Sequence, residues 1–209
     1  MLRALLHAVF CLSGFAALLY QVVWQRALFA LLGINLESVT VIVTAFMLGL
    51  GVGSLIGGLV SRDPRRPVLL LFALVEGGIG LFGLISMSLI HAVGDAILGA
   101  PAPVIALVTF LLVLAPTLLM GATLPLLVAH VVRASGNVGQ SVGSLYFVNT
   151  LGSAGASLVS VLLLLPRLGQ RGTVMAAAVL NLAAAALVYA LHRRASAAPE
   201  ASPAAGVTP

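Results

Sequence analysis

The hydrophobic positions of this chain come in long, nearly unbroken runs. Six stand out, at about Leu5–Leu28, Val39–Val60, Pro67–Ile90, Pro103–Val132, Val142–Leu165 and Thr173–Leu191. A bilayer core is crossed by about 20 mostly apolar helical residues. Lipid offers backbone amides and carbonyls no partners, so such runs must satisfy themselves as helices. The in–out alternation of a membrane barrel strand is absent. The interruptions suit connectors: a short polar link from Gly33 to Ser38, a basic turn from Ser61 to Arg66, and a Gly/Pro loop from His91 to Ala102. A Gly/Ser link follows from Arg133 to Gln140, then a tight turn from Pro166 to Gly172. The pattern predicts an all-α, polytopic membrane protein with about six transmembrane helices over residues 1–194. An Ala/Ser/Pro-rich tail at 195–209 is expected to be disordered.

Composition moves this expectation from helices in general to helices in lipid. Of 209 residues, 61% are hydrophobic and 7% charged, whereas a soluble domain carries roughly a quarter charged residues. No soluble core hides that much apolar surface. All the basic side chains are arginines, set singly or in short runs between apolar segments, where topology signals belong and where a nucleic-acid patch does not. Arg3, Arg62, Arg65, Arg66, Arg133, Arg193 and Arg194 fall on one side of a six-pass chain, and Arg167, Arg171 and the boundary residue Arg26 on the other. Both termini are therefore expected in the cytoplasm. The N-terminal run continues past Tyr20 to Trp24 without a small-residue cleavage site, so it reads as a first membrane helix. Cys11 is the single cysteine, which leaves no internal disulfide or thiolate cluster. His7, His91, His130 and His192 are scattered. No phosphate-binding glycine loop or Ser/His/Asp set occurs in a soluble setting, so no enzyme site, metal or cofactor is expected.

The polar and small residues inside the runs are few enough to weigh one by one. Gly49, Gly53 and Gly57 lie four apart on one face of the second helix, and Gly152 with Ala156 echoes them in the fifth. Close helix packing accounts for them; a substrate path is the other use. Their matched placement hints at two related three-helix halves. Glu76 is the carboxylate deepest in an apolar run, where a charge must be paired, protonated or facing water. A pair with Arg26, a hydrogen bond to a polar helix, or a proton or cation site are its open readings. Near the end of the first helix, Trp24 and Arg26 read as interfacial anchors, and Gln21, lying deeper, as facing protein. In the fourth helix Pro116 and Pro125 remove helix hydrogen bonds, and with Thr117 and Thr123 they make a polar spot at membrane depth. Asn149 and Asn181 are buried amides that join helices or contact a ligand.

Several stretches together resemble the membrane domain of bacterial fused major facilitator superfamily/spermidine synthase-like proteins. They are 12–15, 20–26, 46–54, the turn 62–67, 74–76, 116–125, 145–152 and 180–182, in order along the chain. Of these, Pro116 to Pro125 is the most specific. The resemblance implies a half-major-facilitator-like bundle in the bacterial inner membrane and a transporter or permease module for a small organic solute, including an amine. Gln21, Glu76, Thr123 and Asn149 are the residues expected to contact substrate, and a homodimer is expected to complete the path. The family's fused members carry a synthase domain after the last helix, and here an Ala/Pro-rich tail stands there instead. The alternative implied is a membrane anchor or regulator of a separately encoded spermidine synthase-like aminopropyltransferase. The family also commonly has Glu where this chain has Gln21, which weakens a polyamine path.

Overall fold

The computed structural model describes residues 2–32 and 36–197, and among them every element is helical. Helix α1 spans Leu2–Leu32, α2 Leu36–Ser61, α3 Val68–Ala96 and α4 Ala102–Ser135. From Val138 the chain stays helical, with α5 (Val138–Val159) running through a π-helical turn, Ser160–Leu164, into α6 (Leu165–Ala197). Five stretches are long and apolar enough to cross a membrane: Leu2–Ala30, Val39–Ser61, Val68–Ala96, Ala102–Ser135 and the 58-residue Val138–Ala195. The protein is thus all-α and composed of membrane-length helices.

Several boundaries differ from the sequence reading. The Gly/Pro loop expected from His91 shrinks to 97–101, because α3 continues through Ala92 and Val93 to Ala96 and stops only ahead of Gly99, at φ 82°, and Pro101. The tight turn expected over Pro166–Gly172 is helical except at Gly169, whose φ of 65° and ψ of −173° break the helix. That backbone conformation is essentially reserved for glycine. α6 also passes the domain boundary drawn at Arg194; the rest of the proposed tail, 198–209, and Gly33 to Asn35 of the first connector lie outside the described residues.

Gly169 changes the direction of the chain. Asn149 would lie about 48 Å from Asn181 in a straight helix. Yet Asn149 bonds to Phe10 of α1, Asn181 to Glu76 of α3, and Ser13, one turn beyond Phe10, to that same carboxyl. The two arms on either side of Gly169 therefore return to the same level of the bundle, each packed against α1.

The most extensive packing seams are α2 with α4, α3 with α6 and α1 with α5; α3 with α4 and α1 with α6 come next. Exchanging α1–α3 for α4–α6 maps this set onto itself, the relation at which the glycine pattern hinted. Glycines set the approach distance at the first and third seams. A β-carbon at Gly53 would overlap the Leu118 carbonyl, and one at Gly49 would overlap the Thr117 side chain. At Gly57 it would sit 2.8 Å from the Ala122 carbonyl oxygen, and at Gly152 it would overlap the Cys11 carbonyl. α4 runs through both Pro116 and Pro125 without a break, while the Thr117 hydroxyl donates to the carbonyls of Val113 and Leu114.

Apolar side chains fill two buried layers. One gathers Leu6, Phe10, Phe72, Leu127 and Val188; the other gathers Leu19, Trp24, Phe46, Ile79 and Val174. Outward-facing Met47, Leu55, Leu81, Leu107, Phe147 and Leu158 give the bundle an apolar coat suited to lipid. At the end carrying the α2–α3 turn, Arg133 donates to the carbonyls of Ser61, Asp63 and Arg66 at 2.9–3.1 Å, tying that turn to the end of α4. The Asn137 side chain caps α5 by accepting from the Gln140 amide at 3.0 Å.

Candidate functional site

Between the two apolar layers lies a polar one. On α1 the layers are centred on Phe10 and Leu19, with Ser13 between them; on α3 they are centred on Phe72 and Ile79, with Glu76 between. On α6 Asn181 separates Ala177 from Ala184, and on α5 Asn149 and Ser153 separate Leu145 from Ala156. A helix repeats every 3.6 residues, so one polar residue set into each apolar stripe at a matched level assembles a polar seam across the bundle.

At its centre Glu76 is fully buried. Its Oε1 accepts from the Ser13 hydroxyl and its Oε2 from Asn181 Nδ2, each at 2.5 Å. Among the described residues no basic side chain lies within ion-pair distance of it. Of the readings open in the sequence, hydrogen bonding to polar helices is realised and the pair with Arg26 is not. Arg26 lies instead beside a separate depression lined by Val161, Leu165, Pro166, Gly169 and Gln170. A buried carboxylate without a cation partner is held by hydrogen bonds alone, and these offset only part of the cost of removing it from water. In its ionised form Glu76 carries a charge that no basic side chain among the described residues balances.

A cavity of about 310 Å³ opens against this group. All six helices line it. α1 contributes Ser13 and Gln21, α2 Ser54, α3 Ile79, α4 Thr123, α5 Asn149 and Ser153, and α6 Asn181. Exposed Ser54 and Tyr146 mark its rim. The structure therefore brings Gln21, Thr123 and Asn149 to one cavity, with Glu76 directly behind Ser13 and Asn181. Gly49, Gly53, Gly57 and Gly152 stand in the packing seams beside it.

The walls are held by hydrogen bonds directed into the protein. Asn149 Nδ2 donates to the Phe10 carbonyl at 3.2 Å and the Ser153 hydroxyl to the Gly14 carbonyl at 3.0 Å. Thr123 donates to the Met120 carbonyl at 2.8 Å. Among the described residues, two buried side-chain polar atoms have no partner, Asn181 Oδ1 and the Tyr20 hydroxyl.

Trp24 is not the interfacial anchor that its place near Arg26 suggested, since it is 1% exposed. It stacks on Tyr20 at 4.8 Å, meets Phe82 edge-on at 5.5 Å, and donates its Nε1–H to Ser86 at 3.0 Å. α1 is the cause: it packs against α5, α6, α3 and α4, so at this level it has little face left for lipid. Arg26, by contrast, is exposed.

Ser13, Ser54 and Ser153 line the cavity without having been singled out for it from sequence. A serine in an apolar run carries little signal, although Ser13, Ala17 and Gln21, four apart, mark one face of α1. Among the described residues no group of three His, Cys, Asp or Glu side chains could hold a metal ion.

The fold and site define a bundle of membrane-length helices around a buried acid and a polar cavity. Comparison of the chain with protein-family models, curated proteins and solved structures gave no match.

Proposed function

We propose that the chain is a half-size transporter or permease module for a small organic solute, amines included, in a bacterial inner membrane. One observation carries the reading: a cavity lined from all six helices, with the uncompensated Glu76 immediately behind its wall. Polar groups at membrane depth are costly and mark solute or ion pathways. On this reading the chain crosses the membrane six times, α5 and α6 being separate passes that reverse at Gly169. The bundle is half of a major-facilitator-like protein, in keeping with the resemblance to the synthase-fused members. Arginines at the α2–α3 turn and the end of α4 put both termini in the cytoplasm. Gln21, Thr123 and Asn149 contact the solute, and Glu76 is the proton or cation site. A second copy facing the rim between α2 and α5 completes the path.

Flux in proteoliposomes tests this. Uptake of organic amines that falls at least tenfold in Glu76→Gln supports the reading. Absence of flux for any amine or organic ion ends it, and then a separately encoded spermidine synthase-like partner, sought by co-purification from native membranes, becomes the reading to pursue.

A further inference from the structure

The depression beside Arg26 shares no lining residue with the polar cavity and lies at another level of the bundle. Ser13 meets Glu76 and Trp24 meets Ser86, so α1 and α3 run parallel. Arg26 therefore sits at the end away from the α2–α3 turn. It stands one turn before the end of the 29-residue stretch Leu2–Ala30. A helix of that length is about 44 Å long and reaches through the hydrocarbon core into the headgroups. The depression measures about 460 Å³. Val161 of the π-helical turn, Leu165 and Pro166 give it an apolar wall, and the Arg26 guanidinium and Gln170 amide are its polar side chains. No carboxylate lines it, and among the described residues none lies within ion-pair distance of Arg26, Arg167 or Arg171. Arg167 and Arg171, both exposed, each follow a lining residue in the chain. The other seven arginines belong to the end carrying the α2–α3 turn, where orientation in the membrane accounts for them. That account gives these three no role.

A guanidinium presents a planar fork that matches a phosphate, and a Gln amide both donates and accepts, which suits ester and hydroxyl oxygens. Val161, Leu162 and Leu168 are 53%, 74% and 51% exposed and continue the apolar wall outward. A water-borne anion would leave that wall unmet, and an uncharged lipid would leave three positive charges unbalanced. We infer that the depression binds an anionic phospholipid, with its phosphodiester on Arg26, its headgroup hydroxyls at Gln170 and its acyl chains along Val161 and Leu165. Arg167 and Arg171 add attraction from the rim. The inference requires that the chain lie in a bilayer and is independent of transport.

Native mass spectrometry of the full chain in detergent, titrated with phosphatidylglycerol or with phosphatidylcholine of matched chains, resolves the first lipid bound. Phosphatidylglycerol is expected to bind about fivefold tighter or better, and Arg26→Gln to lower that affinity about fivefold. Arg62→Gln, in the exposed α2–α3 turn at the other end, is expected to leave it unchanged. Gln170→Leu keeps every charge, is expected to lose about fivefold, and reports on the site even if Arg26→Gln is not recovered folded. Equal affinity for the two lipids, equal losses from Arg26→Gln and Arg62→Gln, or no loss in a folded Gln170→Leu overturns the inference. Release of phosphatidylglycerol by millimolar inorganic phosphate, itself bound at the same site, would make this a free-anion site and overturn the lipid assignment.

Discussion

The seam between α2 and α4 and the seam between α1 and α5 occupy equivalent places in the bundle, yet they are built differently. In the first, Gly49, Gly53 and Gly57 bring one backbone against another, and the nearby Thr117 hydroxyl is satisfied within its own helix. In the second, Gly152 plays the same part against Cys11, but Asn149 and Ser153 also donate across the seam to Phe10 and Gly14, and His7 meets Ser144 at 3.0 Å. Glycine contact suffices to close a seam in this protein. The polar atoms of the second seam exceed what packing requires, and two of the residues, Asn149 and Ser153, also wall the cavity. At Asn149 and Ser153 polarity serves the cavity as well as the seam, while His7 and Ser144 serve the seam alone.

The comparison can be broken at its dry side first. Gly53→Leu forces a side chain into the Leu118 backbone, which cannot repack as a side chain could. A loss at or above the roughly 3 kcal/mol upper end of ordinary overpacking is expected, seen as failure to recover monodisperse protein. Gly51→Leu is the control, since a β-carbon there meets open space; equal damage from both would refute the close-contact account. Next in size is Asn181→Leu, which leaves Glu76 with Ser13 as its remaining donor. The expected destabilisation is about 1–3 kcal/mol, read as a lower Tm in detergent, with Glu76→Gln costing less because it removes the charge along with the need for compensation. Asn149→Leu and Ser153→Ala are expected to cost about 1 kcal/mol each, whereas Thr117→Val, which keeps the buried volume and removes a hydroxyl bonded only within α4, should be nearly neutral. If the Thr117 change matched the other two, the contrast between the seams would disappear. The smallest effect is optical. Trp24 is the single tryptophan, and its burial against Tyr20 and Phe82 predicts blue-shifted emission that acrylamide barely quenches; emission typical of an exposed indole would return Trp24 to the interface.

Much of the fold was legible because lipid imposes one solution on a long apolar run. The glycine spacing of α2 likewise pointed to the face that now meets α4. The ends of the helices were less legible, since Ala92 and Val93 extend α3 as readily as they could begin a loop. The break at Gly169 could not be told from an ordinary turn, because Pro166 and Gly172 flank it with turn-forming residues on both sides. Trp24 misled for a definite reason: an aromatic next to Gln25 and Arg26 looks the same whether α1 is at the rim or in the middle of the bundle. For the site, Glu76 stood out by its charge, but its donors are 63 and 105 residues away in the chain. Only the packing of α1, α3 and α6 brings them to it. Ser13 is small and its neighbours are apolar, so nothing local announced it.

The reversal at Gly169 also sets an order of assembly. Chains fold from the N-terminus as they are made, so α1 to α4, Glu76 among them, exist before the last helical pair. Until α6 arrives, Glu76 has Ser13 but not Asn181, and until α5 arrives the cavity lacks Asn149 and Ser153. Among the described helices, the two arms about Gly169 thus complete the polar layer. A chain ending before them would carry Glu76 with one of its two hydrogen-bond donors missing.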